Sequence, residues 1–356
     1  MPDDPAIIHR RHLLQDGAAC ILGLGLGMGM VATARPARAS GRAPALAGIL
    51  EAAGRLEPLE TVIVARNGAV LAERGYNGHS PAAPTNIKSA SKTVITALVG
   101  MAIDRGALAG VDQPIAGILR DQIPDKADPR IEQVTIGHLL SMQAGLGPTS
   151  GPNYGRWVGS RNWVRAALDQ PFADDPGGRM LYSTGSSHLL SAILTRVTGR
   201  STRENARRWF ADVDGFAIGG WQRDPQGIYM GGNEMAMSPR SLLAFGEIYR
   251  TGGRTADGRR VLSRDWIIRS WQPRTRSAYT GDGYGYGWFL RRMGGEDMAY
   301  AWGYGGQMLY IVPRLGLSVV MTSDNSPRPT TIADRDNLHT LMGRIIAAFQ
   351  QAGEDS

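Results

Sequence analysis

Apolar and polar positions alternate near both ends of the chain and recur at helical spacing between them. Near the N-terminal side, Thr61-Val62-Ile63-Val64-Ala65-Arg66 and Ala69-Val70-Leu71-Ala72-Glu73-Arg74 are strand-like runs parted by Asn67-Gly68. Asn-Gly is the two-residue turn whose twist matches that of paired strands, so this stretch predicts a hairpin. Near the C-terminal side, residues 284–290 predict one strand. Residues 306–312 and 317–322, joined by Pro313-Arg314-Leu315-Gly316, predict a second hairpin. A short helix is expected over 44–53 and a final one over about 332–352.

From 107 to about 250 the pattern is helices and long loops. Thr135 precedes Ile136-Gly137-His138-Leu139-Leu140 as a cap, and Gly145, Gly147, Pro148, Gly151 and Pro152 mark a loop. Residues 186–197 carry Leu189, Leu190, Ile193, Leu194 and Val197 on one side, with Gly199 closing the helix. Ser238-Pro239 opens another helix as N-cap and first residue. Strands from both ends with helices between predict an α+β fold. Its antiparallel sheet, flanked by helices, is built from about 40–106 and 250–356, and a mainly helical region, about 107–249, is inserted.

The first 39 residues stand apart. Arg10-Arg11 begins a twin-arginine pattern, an apolar tract from Ala18 to Ala32 follows with glycine at 23, 25, 27 and 29, and Ala37-Arg38-Ala39 offers a signal-peptidase site before Ser40. The expectation is an exported protein, periplasmic or secreted, folded as one domain over 40–356. The tract is short and glycine-rich for a permanent membrane span. No strand precedes it and no βαβ unit follows, which argues against a dinucleotide loop. Cys20 is the only cysteine and would leave with the leader.

Length 356, 42% hydrophobic and 20% charged residues fit a globular chain with a large core. The net charge of +7 is spread as arginine. Its densest run, Arg250 to Arg276, sits in no recognisable nucleic-acid module, so a solvated face is expected there and no nucleic-acid partner. His79, His138, His188 and His339 are scattered and no His-Glu-x-x-His occurs, so neither a metal nor another cofactor is expected.

The candidate chemistry lies in Ser89-Ala90-Ser91-Lys92, at the mouth of the apolar run Val94 to Ile103. Residues three apart share a helix face, so the Ser89 hydroxyl and the Lys92 amine can meet. A serine needs a neighbouring base, and a buried lysine whose pKa is lowered can be one. Lys88, Lys92 and Lys126 are the only lysines in the chain, which makes one inside an apolar helix informative. Tyr182, after the turn Asp174-Asp175-Pro176-Gly177-Gly178 and before a helix, is a candidate second acid/base, and a packing tyrosine would look the same. Ala301-Trp302-Gly303-Tyr304-Gly305-Gly306-Gln307 is a candidate oxyanion strand, its glycines allowing close backbone approach; a bulged edge strand would look the same.

Together these stretches resemble the class C serine β-lactamases, the penicillin-binding DD-peptidases and their relatives among esterases and 6-aminohexanoate-dimer hydrolases, to which Ser-x-x-Lys belongs. The resemblance spans most of 55–350. It is carried also by His138-Leu139-Leu140-Ser141-Met142-Gln143-Ala144-Gly145-Leu146, by Met237-Ser238-Pro239-Arg240-Ser241-Leu242 and by Tyr284-Gly285-Tyr286-Gly287-Trp288. It implies a β-lactamase/transpeptidase-like fold, Ser89 as nucleophile, Lys92 as its activating amine and Tyr182 as proton shuttle. The backbone N–H groups of Ser89 and Tyr304 would form the oxyanion hole, and Thr184, Trp302, Gly303 and Gly305 would line the substrate. Residues 301–307 are most similar to the aminohexanoate hydrolase branch. Two positions depart from the β-lactamase pattern. Thr184 replaces the asparagine of Tyr-x-Asn, and Ala301-Trp302-Gly303 replaces Lys-Thr-Gly. The expectation is a serine hydrolase acting on a small ester or amide through an acyl-enzyme. The rivals are a β-lactamase or DD-peptidase, and a non-catalytic binding protein on the same fold; no Gly-x-Ser-x-Gly is present to suggest an α/β-hydrolase.

Overall fold

Strand pairing sets residues 59–66 beside residues 317–323. The computed structural model describes residues 42–324, 326 and 332–354, all within a unit spanning Ser40–Ser356. Arg10-Arg11, the glycine-alternating tract, Cys20 and Ala37-Arg38-Ala39 lie outside the described residues.

The strands among the described residues are β1 (Leu59–Arg66), β2 (Ala69–Gly75), β3 (Thr85–Asn86), β4 (Ala236–Met237), β5 (Thr275–Arg276), β6 (Gly283–Tyr284), β7 (Phe289–Met293), β8 (Glu296–Gly303), β9 (Gln307–Val312) and β10 (Leu317–Ser323). Eight form one sheet, β2-β1-β10-β9-β8-β7-β6-β5, antiparallel throughout, while β3 pairs with β4. β1 lies against β10, with Val62 opposite Met321 and Val64 opposite Val319. Asn67 and Gly68 take φ of +50° and +85°, as the tight turn of the first hairpin requires.

Alternate side chains point to opposite faces of a strand, so each face of the sheet makes its own core. Val62, Val64, Tyr310, Val319 and Met321 pack with Leu46 and Leu50 of the helix Arg42–Ala53 and with Leu341, Met342 and Ile345 of the helix Ile332–Glu354. Ile63, Leu309, Ile311 and Val320 pack with Val94 and Leu98 of the helix Ser91–Asp104 and with Leu242 and Phe245 of the helix Pro239–Arg250. Each fully buried aliphatic side chain contributes about 1.5–3 kcal/mol. The Ser91–Asp104 helix is buried at every residue from Ser91 to Ala102. Gly100 is obligatory there, because a Cβ would lie 2.4 Å from the Trp266 ring.

The structure corrects two of the expected strands. Residues 284–290 are not one strand: β6 ends at Tyr284 and β7 starts at Phe289. Between them the chain folds back, with the Gly285 N–H donating to the Trp288 carbonyl at 2.9 Å and Gly287 at φ +76°. A Cβ on Gly285 would meet the Ser270 carbonyl oxygen at 2.1 Å, so these alternating glycines serve a close turn rather than a pleat. Residues 301–307 are likewise not one strand. They are the end of β8, a turn at Tyr304-Gly305-Gly306, and the start of β9. β8 is an interior strand, so the bulged-edge alternative also fails. The helix Pro239–Arg250 lies on β1, β9 and β10, so the sheet part takes in residues that the sequence pattern placed in the helical insert. No helix among the described residues is long and apolar enough to cross a membrane.

Candidate active site

The sequence after β3 folds into a tight entry to the buried helix. Lys88 takes φ +49°, a left-handed conformation that costs a non-glycine residue about 1 kcal/mol or more. It is held by three contacts. Its N–H donates to Asn86 Oδ1 at 2.9 Å, its carbonyl accepts from Ser91 Oγ at 2.7 Å, and its Nζ lies 3.5 Å from Glu234 Oε1. A 3₁₀ turn, Lys88–Ala90, then leads into the Ser91–Asp104 helix. This turn leaves Ser89 half-buried and Lys92 2% exposed.

Ser89 Oγ and Lys92 Nζ are 3.1 Å apart. The amine has two further partners, the Gly232 carbonyl oxygen at 2.7 Å and Thr184 Oγ1 at 3.2 Å. Burial pushes the Lys92 pKa down to about 7, because the ammonium form loses its hydration. Tyr182 closes the other side, its ring centroid 5.0 Å from Lys92 Nζ. Burial raises its phenol to about 12, opposed by a hydrogen bond with Ser89. The Tyr182 ring packs against Tyr284 and Phe289, both at 6.4 Å. Its neighbours in the chain are fixed by Met142, whose carbonyl accepts from Leu181 N–H at 2.8 Å and whose Sδ accepts from Ser183 N–H at 3.5 Å. The structure thus brings Ser89, Lys92 and Tyr182 together.

Thr184 is placed differently from the sequence expectation. It was expected beside a substrate, yet it is 3% exposed and its hydroxyl meets Lys92 Nζ and, at 2.9 Å, Ser150 Oγ. The cause lies in the start of the helix Thr184–Thr198. The capping residue Ser183 makes no side-chain cap of its own, and the first N–H groups of a helix need acceptors. A separate loop supplies them: Thr184 N–H donates to Ser150 Oγ and Gly185 N–H to Thr149 Oγ1, each at 2.8 Å. This cross-chain cap draws Thr184 inward, under the amine.

The end of β8 abuts the Ser89 turn. A Cβ on Gly303 would meet the Ile87 carbonyl oxygen at 2.3 Å, and one on Gly305, at φ +86°, the Asp324 carbonyl oxygen at 2.7 Å. Both glycines are therefore explained by backbone packing. Trp302 is partly buried and stands 5.8 Å from the Phe289 ring. The Arg335 guanidinium lies 5.5 Å over the Trp302 ring and is ion-paired to Asp336. Tyr304 follows Gly303 directly, at the point where β8 meets the Ser89 turn, and is 49% exposed.

Sequence reasoning missed Ser150 and Gly232. The first had no signal beyond a hydroxyl in a proline- and glycine-rich loop. The second had one, the pair Gly231-Gly232, since adjacent glycines often mark a close approach; a Cβ on Gly232 would lie 2.5 Å from Lys92 Cγ. Among the described residues no group of three or more His, Cys, Asp or Glu side chains is gathered to hold a metal ion.

Three comparisons with known proteins bear on the family and the fold. The family model described as Beta-lactamase matches residues 32–341. A 6-aminohexanoate-dimer hydrolase of Paenarthrobacter ureafaciens is 27% identical over 317 residues, covering 82% of this chain and 78% of the other. Among solved structures, the D-amino acid amidase of Ochrobactrum anthropi superposes with a TM-score of 0.69 at 16% identity, covering 88% of this chain and 99% of that one. The octameric penicillin-binding protein homologue of Pyrococcus abyssi gives 0.65 at 18% identity, covering 84% and 77%.

Proposed function

The chain belongs to the beta-lactamase family and is a hydrolase, and from that premise we propose that it cleaves esters or amides through an acyl-enzyme on Ser89. One observation carries the reading: a half-exposed hydroxyl 3.1 Å from a buried amine whose pKa is about 7. A base works best with a pKa near the operating pH. Lys92 meets that condition, whereas Tyr182, at about 12, keeps its proton at neutral pH. The two groups are thereby assigned different parts, as paired titratable groups with separated pKa values usually are.

A neutral amine has two hydrogens and one lone pair. With the hydrogens directed at the Gly232 carbonyl and Thr184 Oγ1, the lone pair is left for the Ser89 hydroxyl. Ser89 Oγ attacks the substrate carbonyl carbon while its proton passes to Lys92 Nζ. The oxyanion is received by the N–H groups of Ser89 and Tyr304, following the family resemblance. On collapse, the leaving oxygen or nitrogen takes a proton from the Tyr182 hydroxyl, which is refilled from Lys92. Water then repeats the sequence on the acyl-enzyme and frees the acid.

The residues around this centre support a substrate class without a carboxylate to be bound. A lysine paired with a substrate carboxylate contributes about 1.5–3 kcal/mol, or roughly 10- to 150-fold in affinity. No lysine stands at Ala301-Trp302-Gly303. Arg291 lies 3.7 Å from Asp282, and exposed Arg292 bonds to the Gly295 carbonyl, so neither is a ready substitute. Arg335 lies over Trp302 with its charge already paired. Short-chain p-nitrophenyl esters are therefore expected to exceed nitrocefin at least about tenfold in kcat/KM on one preparation. The names of the two hydrolytic relatives, a 6-aminohexanoate-dimer hydrolase and a D-amino acid amidase, extend the expectation to linear amides. Faster turnover of nitrocefin would put the β-lactamase reading first.

Export is a separate part of the proposal, motivated by Arg10-Arg11 and Ala37-Arg38-Ala39. The exported form is expected to begin at Ser40, and Arg10→Lys with Arg11→Lys to hold the precursor inside the cell. N-terminal sequencing and fractionation check both, and an unchanged periplasmic yield from the double variant would defeat the export route.

A further inference from the structure

His188 and Asp224 have no part in the chemistry above, yet both side chains are fully buried and face each other. His188 Nε2 lies 3.0 Å from Asp224 Oδ2, and each side chain is 0% exposed. The other carboxylate oxygen, Oδ1, accepts from the N–H groups of Gln226 at 2.9 Å and Ile228 at 2.8 Å. Asp224 thus pins the tip of an irregular hairpin whose arms meet at Trp221 with Met235 and at Arg223 with Tyr229. The second arm returns past His188, whose Nδ1 is 3.4 Å from the Gly231 N–H. The rings of Trp157 and Trp163 stand edge-on to the imidazole, each at 5.6 Å, and close its sides. A carboxylate offers only acceptors, so Nε2 carries the proton and Nδ1 is left to accept from Gly231. His188 therefore ties the helix Thr184–Thr198 to both arms of the hairpin.

The second arm leads straight to the amine. A Cβ on Gly231 would lie 2.0 Å from the Ser187 carbonyl oxygen, so the glycine turn is seated directly on the helix. The next carbonyl, that of Gly232, accepts from Lys92 Nζ at 2.7 Å, the shortest of the three contacts that the amine makes. We propose that His188 and Asp224 are positioning residues: they hold the Gly231-Gly232 turn so that the Gly232 carbonyl aims the Lys92 lone pair at Ser89. The proposal rests on the reading of Lys92 as the base. The groups facing Lys92 are Ser89, Thr184, the Tyr182 ring and the Gly232 carbonyl, with Lys88 and Glu234 paired to each other at the adjoining turn.

Asp224→Asn separates this role from packing. The amide keeps an oxygen for Gln226 and Ile228 but turns an N–H toward His188 Nε2. The imidazole proton must then move to Nδ1, where it opposes the Gly231 N–H, donor against donor. His188→Gln keeps an amide near Asp224 and offers no acceptor at the Nδ1 position. The readout is the pH dependence of the rate at which a fluorophosphonate modifies Ser89, followed by intact mass, alongside thermal melts. Each variant is expected to label about 10- to 100-fold more slowly, and the double variant no more slowly than either. The acid limb should move to lower pH, because the amine has lost an acceptor that favoured its ammonium form. An acid limb that moves up instead signals water entering a loosened pocket and overturns the proposal. So does an unchanged rate and limb in a folded variant, and so does failure of both variants to fold, which would make the pair a structural tie alone. Wild-type protein that does not label at Ser89 would instead sink the reading of Ser89 itself, and this proposal with it.

Discussion

Replacing Ser89 with alanine is expected to lower kcat/KM for an ester by about 10⁴-fold or more, the scale on which loss of a nucleophile registers in hydrolases built on a catalytic unit. The change removes one oxygen. That oxygen is half-exposed, and its contacts are the Lys92 amine, which keeps Gly232 and Thr184, and the Tyr182 phenol, whose ring stays packed on Tyr284 and Phe289. The melting temperature should therefore stay close to that of the parent, which separates lost chemistry from lost folding. Turnover by the alanine variant at an undiminished rate would mean that another residue is the nucleophile.

Lys92→Met is expected to be comparably inactive and, unusually for a buried substitution, more stable. The sign follows from linkage. The folded amine titrates near 7 while the unfolded one titrates near its ordinary 10.5, so between those values the unfolded chain holds a proton that the folded chain does not. Stability then rises with pH across that window, and at pH 7 the buried lysine costs on the order of 5 kcal/mol. Methionine fills a similar volume with no charge to desolvate. A rise in melting temperature at pH 7 that shrinks toward pH 10 is the expected result. On the proposed mechanism the active form of the wild type is the neutral amine, so kcat/KM should fall about tenfold per unit below pH 7 and level off above it. A pH-independent rate from 5 to 9 would rule out Lys92 as the base.

The legible part of this protein was the part written in local pattern. Asn67-Gly68 between two alternating runs gave a hairpin, and Pro313-Arg314-Leu315-Gly316 gave another, because tight turns are specified by the residues within them. Ser89 and Lys92 could be paired because a helix fixes the geometry of neighbours three apart. Where glycines alternated with aromatic residues, at 284–288, the pattern suggested a strand, and only the packing of Gly285 on Ser270 shows why the chain turns. β8 was missed as an interior strand because its pairing partners, β7 and β9, are set by register and not by its own composition. The supports of Lys92 were invisible for a related reason. Gly232 lies 140 positions away and Thr184 lies 92 positions away along the chain. Thr184 looked like a substrate contact until the Thr149-Ser150 cap was seen to draw it inward.

The central claim is a covalent intermediate on one named oxygen. Wild-type protein mixed with a slowly deacylating p-nitrophenyl ester, quenched in acid and digested, should yield a single peptide heavier by one acyl group, with fragmentation placing the added mass on Ser89. The Lys92→Met protein treated in parallel should give no such peptide. An acyl group found on any other residue, or ester turnover with no acyl-enzyme in wild-type protein under conditions where deacylation is slow, would contradict the account.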